Sequence, residues 1–208
     1  MPSPANYPGA RSWGATTWVD TSGNFWLFGG DYSLSNFNDL WKYDPNPSSP
    51  TYNQWIWIKG PNTVDDPGSY VAQGVSNPAN LPPSRQETSC SWTDNSGNLW
   101  LYGGLEMLIP YTCFGDLWKY DISSNAWTWM RGLHNTPNEP PVYGTLGVAS
   151  PSNTPGGREV YCSWKDLAGN LWLFGGMRGF GWIVNDLWKY DHNPSSPTYN
   201  QWTWMKSP

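Results

Sequence analysis

Three of the four glutamates, Glu87, Glu106 and Glu159, are candidates for general acid–base chemistry, since a carboxyl group can give or take a proton near neutral pH once its surroundings raise its affinity. Glu87 and Glu159 each follow an arginine, Arg85 and Arg158, but at different offsets, so spacing alone does not make them a pair. The aspartates are different. Asp39, Asp116 and Asp186, and likewise Asp44, Asp121 and Asp191, recur at matching places, which points to turn caps and backbone-amide acceptors rather than acids at a reaction centre. Metal and thiol chemistry find little support: the two histidines, His134 and His192, are scattered, and the three cysteines form no C-x-x-C pair. Cys90 and Cys162 occupy the position held by Thr16, and are expected to be buried, unpaired thiols that act as small apolar residues. No G-x-S-x-G, P-loop, H-E-x-x-H or calcium-loop motif occurs, so no cofactor or metal is expected.

Binding chemistry is better represented. Trp182 stands beside Met177, Arg178 and Phe180, a group that could form an aromatic platform for a sugar ring or a partner's side chain. The alternative is that Trp182 folds back over an open end of its sheet. Tyr32, Phe37, Glu106 and Tyr111 sit in comparable stretches, and Trp13 is the other tryptophan outside the pattern described next.

These stretches are set by a repeat. Asn-Asp-Leu-Trp-Lys-Tyr-Asp at Asn38 to Asp44 returns at Gly115 to Asp121 and at Asn185 to Asp191. Each copy follows a Gly-Gly pair (Gly29-Gly30, Gly103-Gly104, Gly175-Gly176) and precedes a Trp-x-Trp (Trp55/Trp57, Trp127/Trp129, Trp202/Trp204), giving periods of 74 and 72 residues. Fifteen of the 17 tryptophans fall at five positions shared by all three copies, which marks them as core. Every unit reads as four strands. The first two are joined by Asp20 to Asn24, Asp94 to Asn98 or Asp166 to Asn170, whose Gly and Asn suit a tight hairpin.

Four antiparallel strands apolar on both faces, repeated at a fixed period, suit a propeller, where large rings fill the wedge between sheets. Arginine, an apolar strand, W-L-F-G-G, N-D-L-W-K-Y-D and W-T-W resemble the kelch repeat over almost the whole chain. The resemblance implies an all-β fold: a kelch-type β-propeller of three four-stranded antiparallel blades, at 1–60, 85–132 and 158–208, joined by linkers at 61–84 and 133–157. Three blades cannot close a ring, since propellers use roughly four to eight. The expectation is half of a six-bladed ring, closed by a second copy as a homodimer or cut from a longer array. Copper chemistry of the kind kelch-type oxidases perform would need a tyrosine and histidine ligand set that two scattered histidines do not supply.

The strand-two-to-three loops, Asp31 to Phe37, Leu105 to Phe114 and Met177 to Val184, share nothing, whereas the hairpin loops barely differ. One end is uniform and the other individual. Two readings follow: a non-enzymatic scaffold that binds protein or glycan through the individual end, or a glycan-acting enzyme using Glu87, Glu106 or Glu159. A third is a repetitive extracellular structural protein. The net charge of −5, with no Lys/Arg cluster, argues against nucleic acid, and no run approaches the length of a membrane span. Low lysine content and a Trp, Gly, Asn and Ser bias favour an extracellular or cell-surface setting.

Overall fold

The computed structural model describes all residues except 1, 2, 4, 88, 89, 108–110, 135, 137, 160, 180, 207 and 208, and the side chain of Cys90. The protein is all-β, and its described residues form three large antiparallel sheets and two small ones. The first sheet orders Thr16–Val19, Phe25–Phe28, Leu40–Asp44 and Gln54–Lys59 as successive neighbours. The second repeats this with Cys90–Thr93, Leu99–Tyr102, Leu117–Asp121 and Ala126–Arg131. Cys162–Lys165, Leu171–Arg178, Trp182–Asp191 and Gln201–Lys206 make the third.

The second and third sheets carry a fifth strand, which departs from the four expected per unit. Ser76–Asn77 pairs with Ala126–Arg131, and Ala149–Ser150 with Gln201–Lys206. The segments expected to be linkers therefore build the outer edges of the sheets that follow them. Asn80 and Asn153 hold those edges: each donates from Nδ2 to a strand carbonyl, of Trp127 and Trp202 respectively. Paired edges are also edges that cannot recruit foreign strands.

Each hairpin is locked by its aspartate. Asp20 Oδ1 accepts from the amides of Ser22 and Asn24, and Oδ2 accepts from Asn24 Nδ2 and Trp26 Nε1. Asp94 repeats all four bonds with Ser96, Asn98 and Trp100. Partial burial pushes the Asp20 carboxyl upward, but these donors outweigh it and hold the group below its ordinary value. Asp44 and Asp191 cap turns as expected of them, accepting from the amides of Asn46 and Asn193.

Asp39, Asp116 and Asp186 do something else. They meet arginines rather than backbone amides: Arg85 grips Asp116 with both terminal nitrogens, at 2.7 and 2.9 Å, and also donates to the Gly103 carbonyl. Arg158–Asp186 and Arg11–Asp39 match it. The reason is physical, since a fully buried guanidinium demands an anion, and a carboxylate is the two-pronged acceptor that fits it. Asp116 further accepts from Trp118 Nε1 and from the Tyr70 hydroxyl, at 2.6 Å, so the preceding segment is tied to the same anion.

The sheets stack face to face. Trp18, Trp26, Phe28 and Leu40 of the first pack on Leu99, Leu101, Trp118, Tyr120 and Trp127 of the second. Trp92, Trp100, Tyr102 and Leu117 on the other side of the second sheet pack on Leu171, Leu173, Trp188, Tyr190 and Trp202 of the third. Every unit thus has a leading face that receives the unit before it and a trailing face that receives the unit after. Two faces are left over. On the first sheet's leading face Phe25 is 47% exposed and Trp57 44%, where their second-unit counterparts Leu99 and Trp129 are fully and partly buried. On the third sheet's trailing face Trp164 is 53% exposed, against 4% and 3% for Trp18 and Trp92.

This corrects the expectation for Cys162. It is unpaired but exposed, because no further sheet covers the face where Thr16 is buried. The expectation for Cys90 falls on a side chain outside the described residues.

Replacing Arg85 by Met should leave Asp116 buried without its cation and cost about 3–5 kcal/mol. Urea unfolding followed by tryptophan fluorescence would measure it, and Arg11→Met, at the less buried pair, should cost less.

Candidate functional site

Each arginine pins the chain as it enters a unit, and the next residues run beside those after the Gly-Gly pair. Gln86 bridges to Leu105 and Glu159 to Met177, as Trp13 does to Asp31. The glycines are required here. Gly103 and Gly104 have φ of 61° and 101°, and a Cβ on Gly103 would lie 2.6 Å from the Arg158 carbonyl. Gly30 and Gly104 donate to the carbonyls of Arg85 and Arg158 in the following unit, at 2.9 Å each. Gly176 has no following unit, and there the ladder continues, so that Leu171–Arg178 and Trp182–Asp191 form one long hairpin.

Between the second and third units this arrangement leaves a cavity of about 290 Å³. Its walls are Leu105, Met107, Tyr111, Cys113 and Met177, with Gly179 and Gly181 at the side, and its polar groups are Glu87 and Glu159. Glu159 is 4% exposed, and its Oε2 meets no hydrogen-bond donor among the described residues. Its Oε1 is 4.0 Å from Cys113 Sγ, which in turn accepts from the Gly179 amide at 3.3 Å. Burial, together with the Glu87 carboxyl within hydrogen-bonding reach, pushes Glu159 up to about 8. The two acids can approach only with a proton between them. Burial also pushes the Cys113 thiol up to about 11, so it is a neutral wall and not a nucleophile.

Glu87 reaches this place through an uncommon backbone. Its φ is 54°, a left-handed conformation costly for a residue with a side chain, and its amide donates to the Gly14 carbonyl of the first unit. The different offsets of Glu87 and Glu159 from their arginines conceal the pair in the sequence.

Of the residues singled out for binding, Tyr111 and Met177 line this cavity. Glu106 is half-buried beside it, in register with Thr112, and burial raises its carboxyl. Tyr32 and Phe37 lie together on the first unit, their ring centres 6.3 Å apart, with the Arg11 guanidinium 4.5 Å over Phe37. Trp13 is 64% exposed on the same unit. Trp182 is 75% exposed and opposite Arg178, so it does not fold back over the open face. Phe180 lies outside the described residues. The cavity residues missed by sequence reasoning are Leu105, Met107 and Cys113, and their only signal was membership of a loop unlike its counterparts.

Among the described residues no cluster of three or more His, Cys, Asp or Glu could hold a metal, and no helix is long and apolar enough to cross a membrane.

A carboxyl raised in the folded protein stabilises the fold below its unfolded value of 4.5, and that contribution is lost as pH rises through about 8. The melting temperature should therefore fall between about pH 5 and 9, and Glu159→Gln should flatten that decline. Trp182→Ala, at an exposed position, should change stability by no more than about 0.5 kcal/mol in the same melts.

No family model matches this chain, and no curated protein matches it. Solved structures do match. One titled "Structure of YjhT" aligns over 99% of this chain with a TM-score of 0.60 at 14% sequence identity, a likeness of fold alone. The chain spans about half the length of that structure, 53%.

Proposed function

We propose that the protein is half of a kelch-type β-propeller, a non-enzymatic binding and assembly scaffold that closes a six-bladed ring with a second copy of itself. The observation that carries this is the pair of leftover faces. The leading face of the first sheet (Phe25, Leu27, Trp41, Tyr43, Trp55, Trp57) has the same positions as the second sheet's leading face, which meets a trailing face. The third sheet's trailing face (Trp164, Trp172, Phe174, Leu187) has the positions that meet a leading face elsewhere in the chain. Each is the kind of surface the other accepts. A hollow of about 570 Å³ bounded in part by Phe25, Leu27 and Trp55 gives incoming rings room.

Two copies related by a two-fold axis satisfy both junctions at once and leave no open end, as closed symmetry requires. The magnitudes allow it. With about ten large apolar side chains per junction, gains of about 1 kcal/mol each, below the roughly 1.5–3 kcal/mol of full burial, reach about 20 kcal/mol over the two junctions and exceed the roughly 4–15 kcal/mol cost of association. A solved chain about twice as long that accommodates the whole of this one is consistent with a ring of twice three units. The unlike loops around the cavity and around Trp182 would then crown one end of the ring, where protein or glycan ligands are met.

Light scattering on a size-exclusion column should give twice 23.5 kDa. Phe25→Lys and Trp164→Glu should each yield a folded monomer, and mixing the two variants should restore a species of dimer mass, because one of its two junctions is native. A stable wild-type monomer overturns the dimer, and a longer natural chain supplying the other three units would replace it.

A further inference from the structure

We propose that the cavity holding Glu87 and Glu159 is a binding site for a small organic cation, an ammonium group carried on an apolar body. Every described wall of the site belongs to one chain.

The argument starts from an unfilled acceptor. Glu159 is 4% exposed and lines the cavity, and among the described residues its Oε2 meets no donor, the only carboxyl within reach being Glu87, an acid that must share its own proton. A buried carboxyl oxygen in that condition costs free energy until a donor arrives. No cation of the protein supplies one. The three ion pairs among the described residues commit Arg11, Arg85 and Arg158 to Asp39, Asp116 and Asp186. Arg178, next to Met177, makes no ion pair with either glutamate.

The other groups at the cavity are the Cys113 thiol, whose proton burial holds, the Tyr111 side chain, and the Arg178 guanidinium, which acts on Cys113. Among the described residues the two acids make no ion pair, and Arg178 acts on Cys113 rather than on either of them, so the pair is a site of latent negative charge. What suits it is positive, has several N–H donors at one point, and is small. An ammonium has three donors, enough for both carboxyls.

The walls define the rest of the ligand. Leu105, Met107 and Met177 are apolar, and methionine side chains adapt to irregular shapes. Tyr111 offers a ring face, which attracts a cation. A cavity of about 290 Å³ admits a body of about one aromatic ring with a short arm. A neutral sugar would set its hydroxyls against methionines, and an anion would face both acids. Entry of the ammonium displaces the proton that the acids share, so binding releases protons at neutral pH and weakens as pH falls, when both acids hold protons.

Isothermal titration calorimetry with benzylammonium chloride tests this, with benzyl alcohol as the uncharged analogue of the same shape and methyl glucoside as the sugar probe. Benzylammonium should bind saturably and at least ten-fold more tightly than benzyl alcohol. Titrations in two buffers of different ionisation enthalpy should show proton release at pH 7. Glu159→Gln and Glu87→Gln should each weaken binding ten-fold or more. Should Glu159→Gln fail to melt cooperatively, Glu87→Gln carries the test. The Phe25→Lys monomer should bind benzylammonium as the wild type does, which separates this site from the ring. Equal binding of benzyl alcohol, undiminished binding by Glu87→Gln, saturable binding of methyl glucoside in place of benzylammonium, or no saturable benzylammonium binding up to about 10 mM would each overturn the proposal.

Discussion

The architecture hangs on a buried arginine used twice. The Arg85 side chain belongs to its own unit, held by Asp116 and the Gly103 carbonyl, while its backbone belongs to the unit before. Its amide donates to the Phe37 carbonyl and its carbonyl accepts from Gly30. Arg158 does the same with Phe114 and Gly104. A charge this deep is a poor source of net stability, because desolvation opposes the ion pair's attraction. It is an effective source of register: the guanidinium finds its paired oxygens in only one position, and that position places the next sheet against the last.

Because the staple runs from each unit to the one before, the stack has direction. Leading and trailing faces differ in kind: one presents the strand-three tryptophan and tyrosine, Trp118 and Tyr120, and the other the strand-one and strand-two tryptophans, Trp92 and Trp100. A face of one kind cannot be satisfied by another of the same kind in the geometry seen here twice. Head-to-tail pairing of copies, and not face-to-face pairing, is the assembly this asymmetry favours.

Much of this was legible because it is local. The Asp-x-x-Gly-Asn hairpins, the Gly-Gly pairs and the five tryptophan positions are decided within a dozen residues, and the repeat wrote them three times. What escaped was decided across distance. Asp116 reads as a turn cap until Arg85, 31 residues earlier, is brought against it. The fifth strands escaped because two residues, Ser76–Asn77, carry no periodicity, and their partner strand is far along the chain. Cys162 misled for a related reason: equal repeat position means equal local geometry but not equal neighbours, and the last unit has no neighbour on that side.

The acid pair follows from the same staple. Pinning the backbone at Arg85 and Arg158 fixes where the next one or two residues can point, and both runs lie beside the strands that follow a Gly-Gly pair. In the first unit those places hold Trp13 and Gly14, and no cavity acid arises there. Glu87 arrives by a left-handed turn and Glu159 by extended pairing with Met177, so two unlike local paths converge on one cavity. A frame that stabilised only itself would place apolar side chains at these points, as it does in the two clusters where the sheets stack. Two carboxyls forced to share a proton, one reached through a strained backbone, oppose folding, and the frame is rigid enough to hold them together. That opposition is relieved when a donor enters the cavity, so the same arrangement that weakens the empty protein strengthens its hold on a cation.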